Sequence, residues 1–200
     1  DAVLITHADN DHFSLPTNRN LKPVTHSFHS TVYVDSLMKN EGFHSFGHAI
    51  GDHFNVGPVR IKLTPADHAY QNAYPGTSTR WFKNEDACGF WIETPDGTIW
   101  APGDSRLMPA HLQFPAPDAI LFDFSDSEWH FTLAGAVKIA NAYPNTPLLL
   151  NHWGSVYAPD FTPFNADPEA LKKLIVKPER VIVLAPGEAY HLKPLKKSKY

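Results

Sequence analysis

Thr6-His7-Ala8-Asp9-Asn10-Asp11-His12, the stretch THADNDH, follows at once on the apolar run Ala2-Val3-Leu4-Ile5. Two histidines and two aspartates fall in six consecutive positions. Metal ligands need a rigid frame, and a buried strand supplies one. The loop that leaves the strand can then turn several side chains toward one point. His7 and Asp9 alternate and share a direction; Asp11 and His12 follow on the turn. Four such ligands serve one ion, or divide between two ions about 3.5–4 Å apart. Imidazole suits Zn, Fe and Mn, while carboxylate shifts the preference toward harder ions such as Mn and Fe(II). A purely structural reading, an Asx-rich turn around Asp9 and Asn10, leaves the later motifs unexplained.

Three later segments offer matching groups, each where a strand is expected to end. Val59–Thr64 runs into Pro65-Ala66-Asp67-His68, Thr98–Ala101 into Pro102-Gly103-Asp104-Ser105, and Leu148-Leu149-Leu150 into Asn151-His152-Trp153-Gly154. His68, Asp104 and His152 therefore sit at similar topological points. Strand ends on one edge of a sheet are where α/β sites are built.

The rest of the chain supports a layered α/β class. Strands are expected over Ala2–Thr6, Val59–Thr64, Gly89–Thr94, Thr98–Ala101, Ala119–Phe124, Leu148–Asn151 and Val181–Ala185. Pro95-Asp96-Gly97 is a hairpin turn between two of them. Helices are expected over Thr31–Glu41, capped by Ser30 and stopped by Gly42, and over Phe131–Ala142, capped by Thr132. A third starts at Asp167-Pro168-Glu169 and turns Leu171, Leu174 and Ile175 to one side.

A sequence of 200 residues with 42% hydrophobic content can form one domain with a sizeable core. The net charge of −4 and the lack of a basic stripe give no electrostatic support to nucleic-acid binding. The basic tail LKPLKKSKY reads as a solvated terminus. No apolar run approaches the ~18 residues needed to span a bilayer. The single Cys88 excludes an internal disulfide, reads as a small core residue and fits a reducing compartment. Twelve histidines are many for this length. Of these, His26, His29, His44, His48 and His53 read as loop or surface residues. A strand that begins at the first residue also suggests a piece of a longer polypeptide.

The order of these motifs resembles the metallo-β-lactamase superfamily: a strand into THADNDH, a lone histidine, Gly-Asp-Ser, then a histidine after a further strand. TPADHAYQ, GFWIETPDGTIWAPGDS, NHWGS, FNADPEAL and VLAPGEAYHL look closest to the branch of L-ascorbate-6-phosphate lactonase and N-acylphosphatidylethanolamine phospholipase D. The resemblance implies an αββα sandwich over residues 1–200. The strands that usually precede the motif are missing, so a partner segment or a second copy would complete that sheet. It implies two divalent ions, Zn foremost with Mn or Fe as alternatives. His7, Asp9 and His68 would hold one ion, Asp11, His12 and His152 the other, and Asp104 would bridge. Asp9 stands where the superfamily usually has a histidine, which leaves metal identity and number open. A metal-bound hydroxide would attack a small ester, lactone or phosphoester, with Asp11 orienting it or taking a proton. His130 would contact substrate or a developing oxyanion, and Tyr70, Arg80, Arg106 and Trp153 would line the substrate pocket. The branch implies a bacterial cytoplasmic enzyme. Competing readings are a phosphodiesterase or nuclease of the same fold, and a non-catalytic scaffold.

Overall fold

The computed structural model describes residues 1–74, 76, 78–154, 157 and 165–194. The chain opens with β1 (Ala2–Leu4), followed by α1 (Leu15–Leu21), β2 (Ser27–Thr31), α2 (Val32–Asn40) and β3 (Ser45–His48). There follow β4 (His53–Val56), β5 (Val59–Pro65), β6 (Cys88–Thr94), β7 (Gly97–Ala101) and β8 (Ala119–Asp123). Then come α3 (Thr132–Ala142), β9 (Leu148–Asn151), α4 (Pro168–Leu174) and β10 (Val181–Ile182). The strands form a parallel sheet in the order β1-β2-β3 and a mixed sheet in the order β10-β9-β8-β7-β6-β5-β4.

Alternation along the strands sorts the side chains into layers. In the mixed sheet, Trp91, Trp100, Ile120, Leu148 and Val181 are register neighbours. This row packs with Ile139 and Ala140 of α3 and Leu171 of α4. The opposite face carries Leu63 and Phe90, which pack with Leu4 of β1. The far side of the small sheet buries Phe28 against Val34 and Met38 of α2. The order of layers is helix, sheet, sheet, helix, the expected αββα sandwich.

Several elements differ from their expected forms. Thr31, not Ser30, caps α2, its side chain accepting the Val34 N–H at 3.4 Å, while Ser30 Oγ donates to the Thr31 carbonyl. Helix α3 begins at Thr132 with Phe131, not Thr132, as its N-cap and no side-chain cap; Thr132 Oγ1 accepts from Gly135 N–H at 3.2 Å within the first turn. Leu174 is exposed, because α4 is too short to bury more than Leu171 and the following Ile175. The closing strand ends at Ile182, not Ala185. Helix α1 and strands β2, β3 and β4 carry no strong apolar pattern and escape the sequence reading. Of the five histidines read as surface, His29 is buried and His48 half-buried, both on paired strands. Ser155, Phe164 and the tail from Leu195 to Tyr200 lie outside the described residues. Among the described residues, β1 pairs only with β2.

Candidate metal centre

The topology brings the candidate ligands to one place. Strands β7, β8 and β9 are mutually parallel, and β5 runs the same way through two antiparallel steps. Their C-terminal ends therefore share one edge of the mixed sheet. His68 follows β5, Asp104 follows β7, His130 lies beyond β8, and His152 follows β9. The exit of β1 is fastened to that edge, since Cys88 N–H donates to the Thr6 carbonyl at 2.9 Å. Gly103 completes the join. It has a φ of +68°, and a Cβ there would lie 2.6 Å from the Cys88 carbonyl oxygen and 3.1 Å from Thr6 Cγ2. Only glycine lets the Asp104 loop approach so closely.

The distances divide the side chains into two groups around one carboxylate. Asp9 Oδ2 is 3.3 Å from His7 Nε2 and 3.4 Å from His68 Nε2. His12 Nε2 is 3.7 Å from Asp11 Oδ2. Asp104 Oδ2 lies 3.1 Å from both His12 Nε2 and His152 Nε2, and 3.9 Å from His7 Nε2. His130 Nε2 is 3.4 Å from the same oxygen. Ligand atoms of His7, His68 and Asp104 lie within 4.8 Å of one another, as do those of Asp11, His12 and His152, and of Asp104, His130 and His152. All seven sequence-predicted ligands are thus brought together, with His130 beside them.

The outer ring nitrogens are held from behind, which turns the inner ones toward the centre. The Thr6 hydroxyl hydrogen bonds with His7 Nδ1 at 2.9 Å and reaches His12 Nδ1 at 3.4 Å. His68 Nδ1 donates to the Trp129 carbonyl at 3.1 Å, and His130 Nδ1 meets Ser127 Oγ at 2.5 Å. Gln71 Nε2 donates to Asp9 Oδ1 at 2.6 Å. His152 adopts a φ of 60°, a left-handed conformation rare for a residue with a side chain. Such strain is found at functional sites that the surroundings over-determine.

The charges suit a cation. Burial holds His7 and His130 below the ordinary histidine pKa, which favours neutral, ligating imidazoles. Burial opposes ionisation of Asp104, but hydrogen bonds from His12, His130 and His152 outweigh it and hold the carboxyl well below its usual range. Burial likewise opposes ionisation of Asp9, and the facing imidazoles of His68 and His7, 3.4 and 3.3 Å from Oδ2, outweigh it and hold the carboxyl below its usual range. His152 is raised to about 9: burial lowers it, and its hydrogen bond to Asp104 more than compensates. His7 Nε2 is buried without a hydrogen-bond partner and faces the two carboxylates. An orphaned nitrogen beside ionised carboxylates is the donor chemistry a divalent ion satisfies.

The remaining sequence candidates are distributed around this centre. The Tyr70 ring lies 5.1 Å from His68, and burial with the nearby Asp9 and Asp11 pushes its hydroxyl pKa up to about 12. Arg106 pairs with Asp67 at 3.0 Å and lies 4.6 Å over the Trp129 ring. Arg80 is tied to Asp86 at 2.6 Å and stacks over Tyr33. Trp153 packs against the core cluster beneath α3. Asp67 points away from the ligands, accepting from Arg106. Gln71 and Ser127 escape the sequence reading, because an amide or hydroxyl in a loop carries no spacing signal of its own.

The family model described as "Beta-lactamase superfamily domain" matches residues 1–153. A UPF0173 metal-dependent hydrolase of Pyrococcus furiosus is 27% identical over 205 residues, covering 96% of this chain and 81% of the relative. Igni18, a metallo hydrolase from Ignicoccus hospitalis, superposes with a TM-score of 0.72 at 21% identity, covering 94% of this chain and 77% of that one. The isothiocyanate hydrolase from Delia radicum gut bacteria gives 0.71 at 18% identity, covering 96% and 77%. The chain belongs to the beta-lactamase superfamily.

Proposed function

We propose that the chain is a metal-dependent hydrolase that holds two divalent ions and cleaves a small ester, lactone or phosphoester. The observation that carries this reading is Asp104 Oδ2, which faces His12 and His152 at 3.1 Å and His7 at 3.9 Å. One oxygen so shared suits a carboxylate that bridges two ions. His7, Asp9 and His68 would hold one ion, and Asp11, His12 and His152 the other. Zinc fits the imidazoles; the carboxylates, Asp9 above all, also suit Mn or Fe(II). Bound divalent ions supply a nucleophile by lowering the pKa of water from ~15.7 to near 7, and polarise the scissile oxygen.

The chain's own groups do the rest. The Asp11 side chain is 51% exposed at the mouth, so it can orient an incoming water and accept its proton. His130, neutral and held by Ser127, points Nε2 into the centre, where it can donate to a developing oxyanion. Tyr70 and Arg106 form the rim that meets the substrate. Arg80 and Trp153 would contribute to that pocket only by leaving Asp86 and the core packing. The lactonase and phospholipase resemblance supports a small-molecule substrate, and residues 1–200 are taken as one metallo-hydrolase domain.

The test is a panel of lactones, carboxylic esters and phosphodiesters assayed with Zn-, Mn- and Fe-reconstituted protein. Turnover of one class that drops about 100-fold or more in Asp11→Asn supports the reading. Absence of turnover across the panel with every metal would favour the non-catalytic scaffold.

A further inference from the structure

A carboxylate ligand has a freedom that an imidazole lacks. Either oxygen can bind, or both, and the group can swing about its Cβ–Cγ bond. At Asp9 this freedom is removed from outside. Gln71 Nε2 donates to Oδ1 at 2.6 Å, so that oxygen is engaged, and Oδ2 alone faces His7 and His68 at 3.3 and 3.4 Å.

Gln71 sits on the 3-10 turn Tyr70–Ala73, three residues beyond His68, so the segment that delivers the histidine also delivers the amide. Its side chain lines a cleft with His7, Asp9 and His68. Its other amide atom, Oε1, is buried with no hydrogen-bond partner. A buried unpaired acceptor is destabilising, so packing gives no reason for this orientation. The flipped amide would set Oε1 against an ionised carboxylate. The bond to Asp9 is what fixes the side chain. The donor is neutral, which matters beside a cation site: a lysine or arginine there would neutralise Asp9 and compete with the ion.

We infer that Gln71 is a positioning residue that holds Asp9 as a one-oxygen ligand of the ion bound by His7 and His68. The inference rests on the metal centre proposed above. It is tested in the full chain with Gln71→Met, which keeps the length and removes the donor. Affinities for Zn(II) and Mn(II) are measured by chelator competition, and the Co(II)-substituted protein by its visible absorption. The expected result is an ion at the His7 end bound about 10–100-fold more weakly, with the ion at the His12 end unaffected. The Co(II) band intensity should change as Asp9 gains freedom to bind through both oxygens. Circular dichroism of the metal-free variant should match wild type.

Unchanged affinities and an unchanged Co(II) spectrum would overturn the inference, as would equal loss at both ends. If Gln71→Met does not fold, Gln71→Glu keeps the size and replaces the donor by a carboxylate. It should weaken the same ion, and full retention there would overturn the inference. Wild type that binds a single ion overturns the two-ion reading alone if that ion weakens in Gln71→Met. A single ion indifferent to the substitution overturns both.

Discussion

His130 reaches Asp104 with one ring nitrogen and Ser127 with the other. Its Nε2 faces the same oxygen as His12 and His152, yet no spacing in the sequence marks it as their equal. Replacement by glutamine keeps a hydrogen-bonding group near Ser127 but removes the imidazole. His130→Gln should lower kcat about 100-fold or more while elemental analysis finds the metal content unchanged. Loss of metal in parallel with activity would make His130 a ligand instead. The proposed ligands are legible because they cluster at the ends of apolar runs and carry side chains of narrow chemistry. Gln71 is not, since an amide acquires a role only from the carboxylate it meets across the fold.

Elements were legible in proportion to their apolar pattern. Strands β8 and β9 are nearly continuous in apolar residues and mostly buried, while β5 alternates Val59, Ile61 and Leu63 with Arg60 and Lys62. Strand β2 reads Ser27-Phe28-His29-Ser30-Thr31, with one large apolar side chain turned to α2. Its His29 instead faces the other sheet, stacked 4.3 Å from the Phe54 ring, with Nδ1 3.0 Å from His48 Nε2. Burial, together with the neighbouring His48 and His44, pushes His29 from its ordinary 6.5 down to about 4. An unfolded chain takes up that proton first, so stability falls as pH drops from 6.5 toward 4 and is unaffected above that window. Thermal melts at pH 7 and pH 5 should show a smaller drop in His29→Gln than in wild type; equal drops would remove His29 as a cause. The loop after β7 offers a second check. Gly103→Ala should cost about 1–3 kcal/mol in urea unfolding, from its positive φ and the contact with the Cys88 carbonyl. A neutral outcome would mean that the β1 exit and the Asp104 loop are not locked together.

At the scale of the molecule, four layers serve to hold five strand exits at one edge. The class of the fold followed from alternating strands and helices, while the three-stranded sheet did not, because β2 and β3 each carry a single large apolar side chain, Phe28 and Phe46. Among the described residues no helix is long and apolar enough to cross a membrane. The two proposed ions, bound to the folded state alone, would also stabilise it. Chelation with EDTA is expected to lower Tm by roughly 10–20 °C, from about 2.7 kcal/mol for each of the two proposed ions at a hundredfold excess over Kd. An unchanged Tm after complete chelation would mean that the site contributes nothing to folding.

The proposed metal centre bridged by Asp104 is tested by elemental analysis of protein purified without chelator or nickel resin. About two Zn, Mn or Fe per chain, falling below one in Asp104→Ala, is the result a bridged pair predicts. No metal in the wild type, even after Zn or Mn is added back, would contradict the hydrolase reading at its root.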